Sequence, residues 1–219
     1  MATPGEKLAE SLEKLKILQD KGIVAIKAND LSRVHKGRLI ENGFIREVLK
    51  GWYISAPQQE QKGDSTSWYI SFWKFCSRYL QDRYGDDYCL SAEQSLQIHA
   101  GNNSVPKQLI IRSSKGNNLP TNLIFDTSIF VMKSKLPAKV EIEEWKGLRI
   151  TNLASSIVHS TPSLFTKQST DVRTSLMIIK DASELLRILL DGGHSKIAGR
   201  IAGAYRNIGQ DKIANDIIK

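Results

Sequence analysis

Two cysteines, four histidines and a few neighbouring carboxylates are the residues of this 219-residue chain with the means for covalent or acid–base chemistry. Cys76 and Cys89 form no C-x-x-C pair and have no histidine at metal-ligand spacing, which predicts reduced, buried thiols rather than a zinc site or a disulfide framework. His159 and Ser160 are adjacent, but adjacency in sequence is not a triad, and no carboxylate can be assigned as their partner. Asp86 and Asp87 follow Gly85, where aspartates serve the local hydrogen bonding of a turn more often than general acid–base work. Lys115-Gly116-Asn117-Asn118 has the composition of a phosphate cradle, yet no helix follows it, and a hairpin turn is the better reading. The histidines lack H-E-x-x-H or similar spacing; His99 reads as a cation at a helix end. No catalytic, cofactor-binding or metal-ligating set emerges, and the chain reads as a non-enzyme.

Cations give a more coherent pattern. Over Asp30 to Ile54, DLSRVHKGRLIENGFIREVLKGWYI, Asn29 and Asp30 can cap a helix on which Leu31, Val34 and Leu39 form an apolar arc, and Asn42-Gly43 can end it. Phe44 to Val48 and Trp52 to Ser55 then read as strands joined by Leu49-Lys50-Gly51. A helix, a glycine stop and a basic hairpin in that order are the pattern of a winged helix. At about 100° per residue, Ser32, Arg33, Lys36 and Gly37 fall away from the apolar arc, while His35 and Arg38 fall inside it and Ile40 outside. Arginine can donate two parallel bonds to a guanine edge, serine and lysine can hold phosphates, and glycine lets DNA approach the backbone. The candidate DNA-binding residues are therefore Ser32, Arg33, His35, Lys36, Arg38 and Lys50, with Arg38 either a core-edge or a phosphate residue. A solvated cationic face is the plain alternative. Trp52, beside the hairpin turn, reads as structural.

The elements that must position this helix follow from the rest of the chain. Glu6 to Lys21 has helical spacing of leucines and would pack behind the basic helix; Ile23 to Ile26 would enter the sheet of the hairpin. Pro57 to Gly63 is polar and marks a domain boundary. Beyond it, Asp64 to Leu80 carries an aromatic stripe (Trp68, Phe72, Phe75, Tyr79) expected in a core. Ser91 to Gln94 is a capping box for a helix ending at Gly101. Strands are expected at Gln108 to Arg112, Leu123 to Phe125, Ile129 to Met132, Val140 to Ile142 and Leu148 to Thr151. From Asn152 the pattern is helical, and the isoleucines Ile213, Ile217 and Ile218 are expected to lie exposed unless a further domain covers them. The fold class is α+β: a winged-helix domain over 1–57, a mixed α/β domain over 64–160, and a helical segment over 161–219.

Net charge is +8 with a pI near 9.4, which favours a polyanionic partner without naming one. Between Lys21 and Ser55, seven cations face three carboxylates, so half of the net charge lies in the basic helix and hairpin region. No apolar run reaches the ~18 residues of a membrane span, and the N-terminus lacks a signal-peptide core, so a cytoplasmic protein without a membrane partner is expected.

Two family resemblances can be set on these residues. LIENGFIREVLKGWYIS, CLSAEQSLQIHAG and NSVPKQLIIRS together resemble the AbiEi-type antitoxins of abortive-infection toxin–antitoxin systems, over roughly Glu6 to His159. DLSRVHKGRLIENGF, GDSTSWYISFWKFC, GDDYCLSAEQSLQIHAGN and DGGHSKIAGRIAGAYRNIG resemble the N-terminal half of bacterial Fic-domain proteins, over nearly the whole chain. The second resemblance implies that a Fic catalytic domain would follow Lys219. The chain departs from that family in lacking the histidine-proline-phenylalanine run leading to G-N-G-R, and it lacks a convincing S/T-x-x-x-E-G/N inhibitory helix, since Gly37 precedes Glu41-Asn42 where Ser or Thr belongs. What the resemblance implies is therefore the regulatory half: an antitoxin-type transcriptional regulator that binds double-stranded DNA, in its own promoter, and restrains a Fic-type toxin domain in cis or in trans, a homodimer being compatible with both. A module that docks a partner protein and never DNA is the alternative, and an RNA-binding regulator stacking bases on Trp52 is a third.

Overall fold

The computed structural model describes residues 3–57 and 63–219, and the expected boundary at Pro57 to Gly63 lies largely outside them. The chain divides into two compact units. One comprises Met1–Asp86, Val105–Gln108 and Leu119–Phe130; the other comprises Asp87–Ser104, Leu109–Asn118 and Val131–Lys219.

In the first unit, helix α1 (Pro4–Asp20) starts with a capping box in which Thr3 and Glu6 satisfy each other's backbone N–H groups, with Pro4 at the first helical position. Strand β1 (Ala25–Lys27), helix α2 (Arg33–Glu41) and strands β2 (Ile45–Leu49) and β3 (Trp52–Ser55) follow, forming an antiparallel sheet in the order β1-β3-β2. Leu49 pairs with Trp52, so the β2–β3 hairpin closes on Lys50-Gly51, and Gly51 takes the left-handed conformation at φ +82°. Leu15, Ile26, Leu31, Leu39, Ile45 and Tyr53 make the core between helices and sheet. Helix α3 (Thr66–Tyr84) buries Trp68, Phe72, Phe75, Cys76 and Tyr79, the expected aromatic stripe. Trp52 meets Phe75 and Tyr79 edge-on at 6.1 and 5.5 Å, which seals the hairpin onto α3.

Three local expectations are corrected here. Asn29 and Asp30 do not cap α2; they form a 3-10 turn, Ala28–Asp30, and Asp30 accepts the Lys27 N–H at 2.7 Å and pairs with Arg78. Ser32 is the cap instead, accepting the His35 N–H at 3.3 Å. Val34, expected in the apolar arc, is 57% exposed, because Leu31 lies outside the helix and Val34 stands about 140° round the axis from Leu39, the buried anchor. Leu123 to Phe125 is not a strand: Phe125 and Asp126 adopt left-handed φ of 52° and 54°, incompatible with extended pairing, and the strand is β6 (Pro120–Asn122).

Strands β4 (Cys89–Leu90), β5 (Gln108–Ser113), β6 and β7 (Ser128–Lys133) form a sheet in the order β4-β5-β7-β6. The stretch Lys115 to Asn118 is therefore not a hairpin turn, since β5 and β6 are not neighbours. It lies instead against β7, where a Cβ at Gly116 would fall 2.6 Å from the Lys133 nitrogen, so only glycine fits. In the second unit, the hairpin β8 (Ile142–Trp145) and β9 (Leu148–Thr151) turns on Lys146-Gly147, both at positive φ. Val140 is in a 3-10 turn, Lys139–Glu141, rather than a strand. Helix α4 (Ala92–His99) is capped by Ser91, which accepts the Gln94 N–H at 3.2 Å. The Ser95 hydroxyl accepts the Thr151 N–H, and His99 Nε2 donates to the Thr151 carbonyl at 2.8 Å, fastening α4 to β9.

Helices α5 (Leu153–His159), α6 (Pro162–Lys167), α7 (Ser169–Ile178), α8 (Ser183–Asp191), α9 (Ser195–Asn207) and α10 (Asp211–Ile218) complete the unit around Leu176, Leu185, Ile201 and Tyr205. Pro162 opens α6 rather than merely separating helices. Ile217 is 7% exposed and Ile213 is partly buried, both within this core, so the expected exposure of the isoleucines holds only for Ile218. The protein is thus α+β with a C-terminal helical segment. Among the described residues, no helix is long and apolar enough to cross a membrane.

Candidate nucleic-acid interface

Helix α2 has nine residues, too few to be stable alone in water. Leu39 anchors it in the core, and two polar side chains fix it to α1. His35 Nδ1 lies 3.0 Å from the Ser11 hydroxyl, which itself donates to the Lys7 carbonyl, and His35 Nε2 lies 3.8 Å from Glu10. Arg38 donates from Nη1 to the Lys7 carbonyl at 3.1 Å and sits 4.0 Å from Glu10. These two candidate DNA residues therefore face α1. One donor of each is committed within the protein, and Arg38 takes the core-edge role left open by the sequence. On the far side, Arg78 of α3 forms a two-pronged pair with Asp30 at 2.7 and 3.1 Å and also donates to the Ala25 carbonyl, setting the turn from which α2 departs.

The opposite face of α2 is open. Ser32 and Arg33 are exposed at its start, and the Arg33 side chain shows no hydrogen bond or ion pair among the described residues. Gly37 follows one turn later, and no atom lies within 4 Å of where its Cβ would be. Lys36 lies at the edge of this face, its ammonium 5.8 Å from the Tyr53 ring, so its stem runs along the hairpin while its charge stays outside. Val34 and Ile40 share the face at 57% and 43% exposure; the sequence projection places Ile40 outside the apolar arc, as found, and misses Val34. On the hairpin turn, Lys50 is exposed and the Gly51 N–H donates to Glu47 at 3.1 Å, which fixes the turn and leaves a carboxylate near Lys50. Trp52 is buried and offers no exposed ring for stacking.

The residues first weighed for catalysis are occupied elsewhere. Ser160 donates to the Ser156 carbonyl at 2.6 Å. Asp87 accepts from Ser113 and Ser114. Burial pushes the Cys76 thiol far up and the Cys89 thiol up to about 12, and both cysteines are free. Burial lowers the His159 pKa against the opposing pull of Glu141. Among the described residues, no three His, Cys, Asp or Glu side chains stand together as metal ligands would.

In fold, the chain is similar to the RV2827C protein from Mycobacterium tuberculosis, known from a crystal structure. The TM-score is 0.61 and the identity 15%, over 96% of this chain and 80% of that one. No family model and no curated protein matches the chain.

Proposed function

We propose that residues 4–55 are a winged helix and that the protein binds double-stranded DNA through the outer face of α2. The order helix, strand, short turn, helix and hairpin supports the fold reading, with the 3-10 turn Ala28–Asp30 in place of a longer helix before α2. The observation that carries the DNA reading is the pairing of an uncommitted Arg33 with the open glycine Gly37 on one helix face. Arg33 supplies a guanidinium for a base edge or phosphate, Gly37 admits the duplex close to the helix, and Ser32, Lys36 and Lys50 border the approach. In this reading the chain is an antitoxin-type transcriptional regulator acting in the cytoplasm on its own promoter, and a Fic-type domain in cis or in trans is the partner that the sequence resemblance implies. The test is a titration of the chain's own upstream duplex at several salt concentrations. A log–log slope of about −0.9 for each phosphate contact is expected, with weaker binding to unrelated duplexes. Binding that ignores salt, or no binding at low salt, would overturn the reading.

A second reading rests on Val34 and Ile40, which place apolar surface on the same face. A protein partner would bury them. That interaction would be weakened by Val34→Ser with little salt dependence, whereas DNA binding depends steeply on salt.

A further inference from the structure

The C-terminal helices border an open groove of about 620 Å³, a volume within the range of small-molecule sites. Its lining is mixed: Phe165 from α6 and Ile208 after α9 offer apolar surface above a floor of the buried Val172 and Leu176 of α7, and Thr166, Ser169 and Asn207 add polar groups. Two guanidiniums border it from opposite helices, Arg173 on α7 and Arg200 on α9, and no carboxylate is among the described residues that line it. Arg200 lies 5.8 Å from the Phe165 ring, a cation–π arrangement that holds the charge at the mouth. Gly199 and Gly203 line the same groove one turn apart inside α9. Both have ordinary helical φ, and a Cβ at either would meet nothing within 4 Å, so neither backbone strain nor internal packing calls for glycine there. Glycine is the poorest helix-interior residue after proline, so the fold gains nothing from these two. They deepen the groove.

We propose that this groove binds a small amphipathic anion: an organic molecule whose carboxylate is held by Arg173 and Arg200 while its apolar body lies along Phe165 and Ile208 over the glycines. The apolar surface supplies the burial and the paired cations select the head group. The site is independent of the DNA-binding face and stands whether or not that reading holds.

The experiment uses the full chain and the fluorescence of anilinonaphthalene sulfonate, itself an apolar aromatic anion, displaced in turn by decanoate, decanol and decylamine. One dye per chain is expected, with decanoate displacing it at least about tenfold more effectively than decanol, and decylamine failing. Arg173→Gln and Arg200→Gln should each weaken decanoate about tenfold, the loss of one charge-assisted contact. Gly203→Leu fills the groove from a position with open space, and should abolish dye and decanoate binding while circular dichroism stays unchanged. Equal displacement by all three competitors, indifference to both arginine variants, or persistent binding in Gly203→Leu would overturn the proposal. So would loss of the dye site on concentration-dependent dimerisation, which would give the groove to a second copy of the chain.

Discussion

Gly37→Ala separates stability from function more cleanly than any removal of charge. Gly37 lies inside α2 with helical φ, and the added methyl meets no atom within 4 Å. Alanine therefore gains the full propensity difference, about 0.8–1 kcal/mol, without a steric penalty. For a unit of roughly 100 residues that raises the melting temperature by about 4–8 °C. On the DNA reading, the same methyl stands between Arg33 and Ile40 on the face that meets the duplex. Overpacking of a close interface costs about 1–3 kcal/mol, or about five- to a hundredfold in Kd. A more stable protein that binds DNA less well is the expected result, measured by thermal melting and by fluorescence anisotropy with a labelled upstream duplex. Misfolding cannot mimic this combination, because the two changes have opposite signs. A variant that melts higher and binds DNA as tightly as the parent would refute the claim that α2 presents Gly37 to the duplex.

Arg33→Ala and Lys36→Ala should leave circular dichroism unchanged and weaken DNA binding about five- to a hundredfold where the residue reads a base, or shift the salt slope by about 0.9 where it holds one phosphate; parental binding by both would exclude α2 as the reader. Trp52→Ala, which removes the edge-on contacts to Phe75 and Tyr79, should destabilise the first unit by about 3–5 kcal/mol, whereas Lys50→Ala should keep stability and lose affinity. The Cys89 thiol, raised by burial to about 12, stays neutral in the folded chain at pH values where the unfolded thiol ionises. Stability from this group is therefore intact below about pH 8.5 and falls by ~1.4 kcal/mol per pH unit from there toward the folded pKa. Denaturant melts of the parent and Cys89→Ala should converge as pH rises from 8 to 10, and parallel curves would contradict the burial argument.

The elements that depend on local pattern were legible in the sequence. Gly43 after α2, the glycine of the hairpin turn, read as Leu49-Lys50-Gly51 and found to be Lys50-Gly51 with Leu49 still in β2, the cap at Ser91 and the aromatic stripe of α3 each rest on a residue whose own chemistry dictates the conformation. What the sequence concealed depends on partners distant in the chain. Asp30 has the chemistry of a helix cap, but Arg78, 48 positions later, and the Lys27 N–H claim its carboxylate, and the cap passes to Ser32. Leu31 is then outside the helix, and Val34, about 140° round the axis from the buried Leu39, faces solvent. Likewise Ile217 reads as an unpartnered apolar residue until α10 folds back onto α9 and buries it. The crossing between β5 and β6 is hidden for the same reason, since turn composition does not say which strand lies next door.

The same logic limits what charge alone says about the interface. Five of the six candidate DNA residues lie between Ser32 and Arg38, and counting cations would credit them all. A nine-residue helix with a single fully buried side chain cannot hold its orientation by propensity, so some of its polar side chains must work as attachments. His35 and Arg38 do so, through Ser11 and the Lys7 carbonyl, and each attachment removes a donor from any ligand. The positions free of that duty, Arg33 and Gly37 with Lys36 at their edge, therefore define a narrower face than the sequence suggests. Specificity, if this face reads DNA, must come from Arg33 and from how closely Gly37 lets the duplex approach, because the remaining cations are in reach of phosphates or already bound within the fold.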